Sequence, residues 1–148
     1  MQYLYDMKEK DIEEVRAFNR VYTVFMGILN QRFLQSKFSL VETRVLHAAL
    51  HQDGITPSEI TALLNIDKSY LSRIITSLLR RKVLTKRKST DDGRSVHLSI
   101  TEIGRREFEK LNEASNLQVA GLLAQFSESD CKRLVKNMAE IKSILENR

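Results

Sequence analysis

Residues 65–101 read NIDKSYLSRIITSLLRRKVLTKRKSTDDGRSVHLSIT, and their character changes three times. Asp67 opens an amphipathic helix, because its carboxylate can accept hydrogen bonds from the unpaired amides of a first helical turn. Leu71, Ile74, Ile75, Leu78 and Leu79 recur at helical spacing and commit one face to a core. The other face carries Ser69, Arg73, Thr76 and Arg80, all hydrogen-bonding or cationic. Beyond Val83 the period changes to alternation, and two strands are expected over 84–89 and 94–100. Thr90-Asp91-Asp92-Gly93 between them supplies turn chemistry, with Gly93 suited to a positive φ.

A helix followed by a basic hairpin is the pattern of a winged helix-turn-helix. Charge agrees with it. Residues 68–94 hold nine Lys or Arg against Asp91 and Asp92, a net of +7, whereas the whole chain carries +5. Everything outside this stretch therefore sums to −2, and the basic character is local, as a phosphate-binding footprint requires.

The helix before Asp67 has the clearest start signal in the chain. In Thr56-Pro57-Ser58-Glu59 a capping Thr is followed by Pro at the first helical position and Glu at the third. Ile60, Leu63 and Leu64 give this short helix an apolar face, and Asn65-Ile66 turns it into the helix at Asp67, which makes a helix-turn-helix. Upstream, Ser39 and Glu42 form another capping box, opening a helix through Val45, Leu46, Ala49 and Leu50 that closes at Asp53-Gly54. A long helix is expected over about 10–36, where apolar residues from Ile12 to Leu34 keep the helical period. After the hairpin, Thr101 caps another long helix, and Ser127 with Asp130 opens the last one.

The 148 residues suffice for one domain with a real core, 42% of them hydrophobic and 29% charged. One Pro and five Gly leave few helix breakers, so a mainly α protein with a small β-hairpin wing is expected, ordered α-α-(β)-α-α-β-wing-β-α-α. No apolar run approaches the roughly 20 residues a membrane span needs, and the first residues lack a signal-peptide core, so the expected location is the cytoplasm. A lone Cys131 excludes an internal disulfide framework and reads as a half-buried, inert thiol. His47 and His51 stand one helical turn apart, but no third ligand is arranged with them, so no metal or other cofactor is expected. No paired carboxylates, nucleophile triad or Gly-rich phosphate loop points to catalysis.

The motifs Asp67-Lys68-Ser69-x-Leu71-Ser72-Arg73, Asp92-x-Arg94 and Leu98-x-Ile100-Thr101-x-x-Gly104 resemble those of the MarR family of bacterial transcriptional regulators. The likeness extends over nearly the whole chain. It implies a single domain over 1–148, with a DNA-binding lobe at about 40–100, a recognition helix at 68–82 and a wing at 84–100. Helices at about 10–36 and 101–146 are then the dimerisation elements. It also implies that Asp92 pairs with Arg94 to hold the wing while Arg94 reaches a minor groove. Val83 departs from the family pattern, which has Gly there, so the recognition helix must end in its own way.

On this reading the chain is a homodimeric regulator that reads a near-palindromic site on double-stranded DNA. Ser69, Ser72, Arg73 and Thr76 would enter the major groove, where Arg can fork onto guanine and a Thr methyl can touch thymine. Lys68, Arg80 and Lys88 would meet phosphates, and Thr56 and Ser58 could donate to one at their helix start. Tyr22, Phe25, Met26, Phe33 and Phe38 are candidate walls of a pocket for a small aromatic or anionic effector, as in many relatives; plain core packing is the competing explanation. A narrower likeness, through Phe18-Asn19-Arg20-x-Tyr22-Thr23 and Phe38-Ser39-Leu40-x-Glu42, is to the MarR-like domain fused to some GNAT acetyltransferases. The alternative it raises is the regulatory portion of an N-acetyltransferase.

Overall fold

The computed structural model describes residues 9–27, 36–91 and 93–148. Among them are six helices and one hairpin: α1 (Glu9–Phe25), α2 (Leu40–His51), α3 (Pro57–Leu64), α4 (Lys68–Arg80), β1 (Leu84–Lys88), β2 (Val96–Ile100), α5 (Glu102–Leu123) and α6 (Glu128–Glu146). The expected order holds, including the bracketed β element, since Ile55 makes an isolated antiparallel bridge to Leu98. The chain divides into two compact units, 1–112 and 113–148, with the boundary inside α5.

Local chemistry starts these helices as the residue types dictate. Ser39 and Thr56 each form a complete capping box, with Glu42 and Glu59 at the third helical position. Asp67 accepts from the Tyr70 amide at 2.9 Å, and Ser127 from that of Asp130 at 3.1 Å. Thr101 caps α5 through the Gly104 amide at 3.0 Å. Gly54, just past α2, takes φ +79°, and Asn65 turns α3 into α4 with a left-handed φ of +49°.

The core of the first unit gathers α2, α3, α4 and the hairpin around Leu46, Ile55, Ile60, Leu71, Leu78 and Leu98, each 2% exposed or less. β1 and β2 pair antiparallel from Leu84 opposite Ile100 to Lys88 opposite Val96. Leu98 is bound from both sides: its amide donates to the Ile55 carbonyl and its carbonyl accepts from Gly54, each at 2.9 Å. These bonds fix the base of the wing to the helix-turn-helix. Ser89 continues the pairing by donating to the Ser95 carbonyl at 2.8 Å, so the tip begins beyond these residues.

Two expectations need correction. The first helix was expected to run to about 36, but α1 ends at Phe25. Gly27 adopts φ +65° and donates to the Val24 carbonyl, a tighter closure that a helix cannot propagate through. Residues 28–35 lie outside the described residues, and Phe33 with them. The recognition helix was expected to reach 82, but ends at Arg80. Lys82, not Val83, is left-handed, at φ +59°. Its amide donates to Leu79 at 3.0 Å and that of Val83 to Leu78 at 3.2 Å, the paired reversed bonds of a Schellman motif. Val83 is thereby freed from any positive φ and is buried against the core at 3% exposure.

The same junction explains a glycine. The Val83 carbonyl accepts from the Thr101 amide at 3.1 Å, drawing the start of α5 onto the end of α4. A Cβ on Gly104 would stand 2.2 Å from that carbonyl oxygen, so only hydrogen fits.

Candidate nucleic-acid interface

α4 buries Leu71, Ile75 and Leu78 and half-buries Ile74 and Leu79, which leaves Lys68, Ser69, Ser72, Arg73, Thr76 and Arg80 exposed along the opposite face. The Thr76 hydroxyl donates to the Ser72 carbonyl at 2.9 Å, which leaves its methyl for an outside contact. The Arg73 guanidinium lies 5.9 Å from the Tyr70 ring, a loose cation–π contact that holds the side chain along the helix surface.

A groove of about 390 Å³ runs between the start of α3, α4 and the hairpin. Ser58, Lys68, Ser72, Thr76 and Lys86 line it over a floor that includes Leu71, Ile75 and Leu98. A second groove, of about 630 Å³, lies on the other flank between the end of α4 and β1 and is lined by Thr76, Arg80, Lys82, Thr85, Lys86 and Thr101. Lys86 contributes to both, and residue types alone did not single it out. Alternation from Leu84 carried the signal, since Lys86 and Lys88 fall on the face of that buried leucine, whereas Arg87 pairs opposite His97 on the other.

Thr56 is half-buried, because its hydroxyl accepts from the Glu59 amide at 3.2 Å. Glu59 accepts in return from the Thr56 amide at 2.8 Å, and that bond holds its carboxyl below the usual range. Ser58, Lys88 and Arg94 are exposed. Asp92 lies outside the described residues, so its pairing with Arg94 stays an expectation from the family likeness.

Of the nine cations in the basic stretch, one is withdrawn from it. Arg81 pairs with Glu42 at 3.2 Å, its side chain 26% exposed. Lys68, Arg73, Arg80, Lys82, Lys86, Arg87 and Lys88 make no ion pair among the described residues. The footprint is smaller than the charge count implied, but these seven cations form no ion pair among the described residues.

The remaining candidates fall elsewhere. Phe38 is a core residue at 2% exposure. Tyr22, Phe25 and Met26 are half-buried near the end of α1, where Tyr22 stacks on Phe18 with ring centroids 5.5 Å apart. His47 and His51 stack at 4.0 Å, and His47 lies 5.9 Å from Phe108. Among the described residues no group of three His, Cys, Asp or Glu is placed to hold a metal ion. The half-buried Cys131 thiol donates to the Leu123 carbonyl at 3.2 Å. No helix among the described residues is long and apolar enough to cross a membrane.

Comparison with known proteins agrees with this geometry. Residues 36–95, which include most of the lining of both grooves, match the model of the MarR family. The HTH-type transcriptional regulator PchR of Bacillus subtilis (strain 168) is 23% identical over 150 residues, spanning 98% of this chain and 89% of PchR. Wild-type MarR from E. coli in its apo form superposes with a TM-score of 0.74 at 18% identity, covering 85% of this chain and 94% of that one. Bordetella bronchiseptica BpsR, solved to explain regulation of its DNA binding by 6-hydroxynicotinic acid, gives 0.70 at 19% identity over 88% and 98%. The acetyltransferase alternative finds no support among these proteins. A helix-turn-helix with an attached basic hairpin, matched by the MarR family model from residue 36 to 95 and superposing on wild-type MarR, gives this chain the winged helix-turn-helix fold of MarR-type proteins.

Proposed function

We propose that this chain acts as a homodimer in the cytoplasm, binding a near-palindromic site on double-stranded DNA to regulate transcription, and that it has no catalytic activity of its own. The observation that carries this reading is the set of seven cations on and beside α4 and the wing that form no ion pair among the described residues, interleaved with Ser69, Ser72 and Thr76. Such a surface lowers its free energy by displacing the counterions of a polyanion, and its hydroxyls and Arg73 can read base edges. α4 is the element that enters the major groove; Lys68, Arg80, Lys86 and Lys88 meet phosphates, with Thr56 and Ser58 beside them. Arg94 reaches the minor groove, held by Asp92.

A second copy covers apolar surface that the single chain leaves bare. Val15, Val21 and Val24 on α1 are 69%, 70% and 68% exposed, and on α6 Ile144 and Leu145 are 68% and 57% exposed. Two recognition helices related by a twofold axis then occupy major grooves one helical turn apart. A small aromatic anion, the class to which the BpsR ligand belongs, modulates the dimer. Tyr22, Phe25, Met26 and Phe33 are the candidate walls of its pocket, while Phe38 is buried in the core.

The test is recovery of sheared genomic DNA by the purified chain at moderate salt, followed by sequencing. Enrichment of one inverted repeat supports the proposal. Salt-sensitive binding that enriches no motif removes the sequence-reading half of it, and absence of salt-sensitive binding removes all of it.

A further inference from the structure

Arg81 belongs by sequence to the basic stretch, yet everything around it points inward. Its guanidinium bonds the Glu42 carboxylate at 3.2 Å through one terminal nitrogen and the Lys37 carbonyl at 3.2 Å through the other. It also lies 3.9 Å from the centroid of the buried Phe38 ring. The Arg81 and Glu42 side chains are only 26% and 13% exposed, so water screens the pair weakly. Glu42 is meanwhile committed to its own helix: its second oxygen accepts from the Ser39 amide at 2.8 Å in the capping box of α2. Lys37 in turn reaches Glu107 on α5 at 3.3 Å. The guanidinium thus ties the residue that ends the recognition helix to the segment that enters α2, and the Lys37 ammonium ties that segment to α5.

We propose that Arg81 is a positioning residue for DNA binding rather than a phosphate contact: with Glu42 and Phe38 it locks the C-terminal end of α4 to the start of α2 and so sets the angle at which α4 meets the groove. The inference rests on the DNA-binding reading and adds a role that charge alone would assign wrongly. Its chemistry needs arginine. A planar guanidinium can serve a carboxylate, a carbonyl and a ring face together, whereas the ammonium of lysine, a point charge, cannot.

The two roles predict opposite signs for a variant that does not touch Arg81. Glu42→Gln removes the negative charge but keeps an amide oxygen for the Ser39 amide, because Gln also serves in capping boxes. If Arg81 bound a phosphate, losing its internal competitor would leave DNA affinity equal or higher. If Arg81 positions α4, affinity falls.

The experiment measures DNA dissociation constants of the parent, Glu42→Gln, Arg81→Lys and the double variant over a series of salt concentrations. Amide hydrogen exchange of 37–42 and 78–83 is followed in parallel. Expected are a weakening of about fivefold in each single variant, a double variant no weaker than either, and a salt slope equal to the parent's. Exchange should rise in both segments together. Unchanged or tighter binding by Glu42→Gln overturns the proposal, and so does an Arg81→Lys variant that binds as tightly as the parent, because lysine can keep a phosphate contact but cannot serve Glu42, the Lys37 carbonyl and the Phe38 ring together. Loss of salt-sensitive binding in the parent itself would instead count against the DNA-binding reading.

Discussion

Arg73 and Lys88 are both exposed cations, yet they stand in different relations to a duplex. Arg73 rises from the middle of the exposed face of α4, a helix of the width that a major groove admits, while Lys88 ends β1 toward the tip of the wing. Arg73→Ala should therefore relax sequence preference, costing about 1–3 kcal/mol at the base it contacts, and Lys88→Ala should weaken all sequences alike and flatten the salt dependence. Specificity ratios for cognate and scrambled sites decide this, and equal ratios for Arg73→Ala and the parent would refute it. Gly104 poses a steric question instead. Its Cβ position lies 2.2 Å from the Val83 carbonyl oxygen and 2.8 Å from Ile100, and the carbonyl cannot yield without breaking its bond to Thr101. Gly104→Ala should cost about 3 kcal/mol of stability in denaturant unfolding. An unchanged midpoint would mean that α5 can slide.

At the level of the helix, α2 carries a pH-sensitive face. Partial burial, with smaller contributions from His51 and Arg44, holds the His47 pKa below its ordinary 6.5. The folded state thus binds a proton less readily than the unfolded chain, so the associated stability is present above pH 6.5 and is lost as pH falls through the lowered folded value. Urea midpoints measured at pH 7.5 and pH 5 should drop in the parent and drop less in His47→Gln. Identical drops would assign the sensitivity elsewhere. The helix-turn-helix itself owes its geometry to short-range chemistry: two capping boxes, a Pro at the first position of α3 and a left-handed Asn65. These signals are readable in a one-dimensional string because each involves residues no more than three apart. The end of α4 is different. Lys82 is forced left-handed so that Val83 can be buried, and burial is a property of the surrounding α5 and hairpin.

For the molecule as a whole, the bare apolar residues of α1 are the feature that a monomer leaves unexplained. Val15, Val21 and Val24 are each more than two-thirds exposed, on a helix that buries none of its residues. Val21→Asp should shift the monomer–dimer equilibrium toward monomer by at least tenfold and weaken DNA binding with it, since each half-site then binds alone. Sedimentation velocity over a range of concentrations measures the first effect. A Val21→Asp chain that stays dimeric would move the interface away from α1.

Residue order alone determined the winged helix-turn-helix: where α2, α3, α4, α5 and α6 begin, that a hairpin follows α4, and which face of α4 is polar. Helical period, capping and turn chemistry act over three or four residues, and nothing distant opposed them. Tertiary structure decided the rest. It took Arg81 out of the basic footprint, because Glu42 lies 39 residues away in sequence and only the packed fold brings it within 3.2 Å. It drew Phe38 into the core beneath that guanidinium, and it brought Lys86 against both flanks of α4. A charge count sums side chains without regard to direction; the fold assigns each one a direction, and with it a partner.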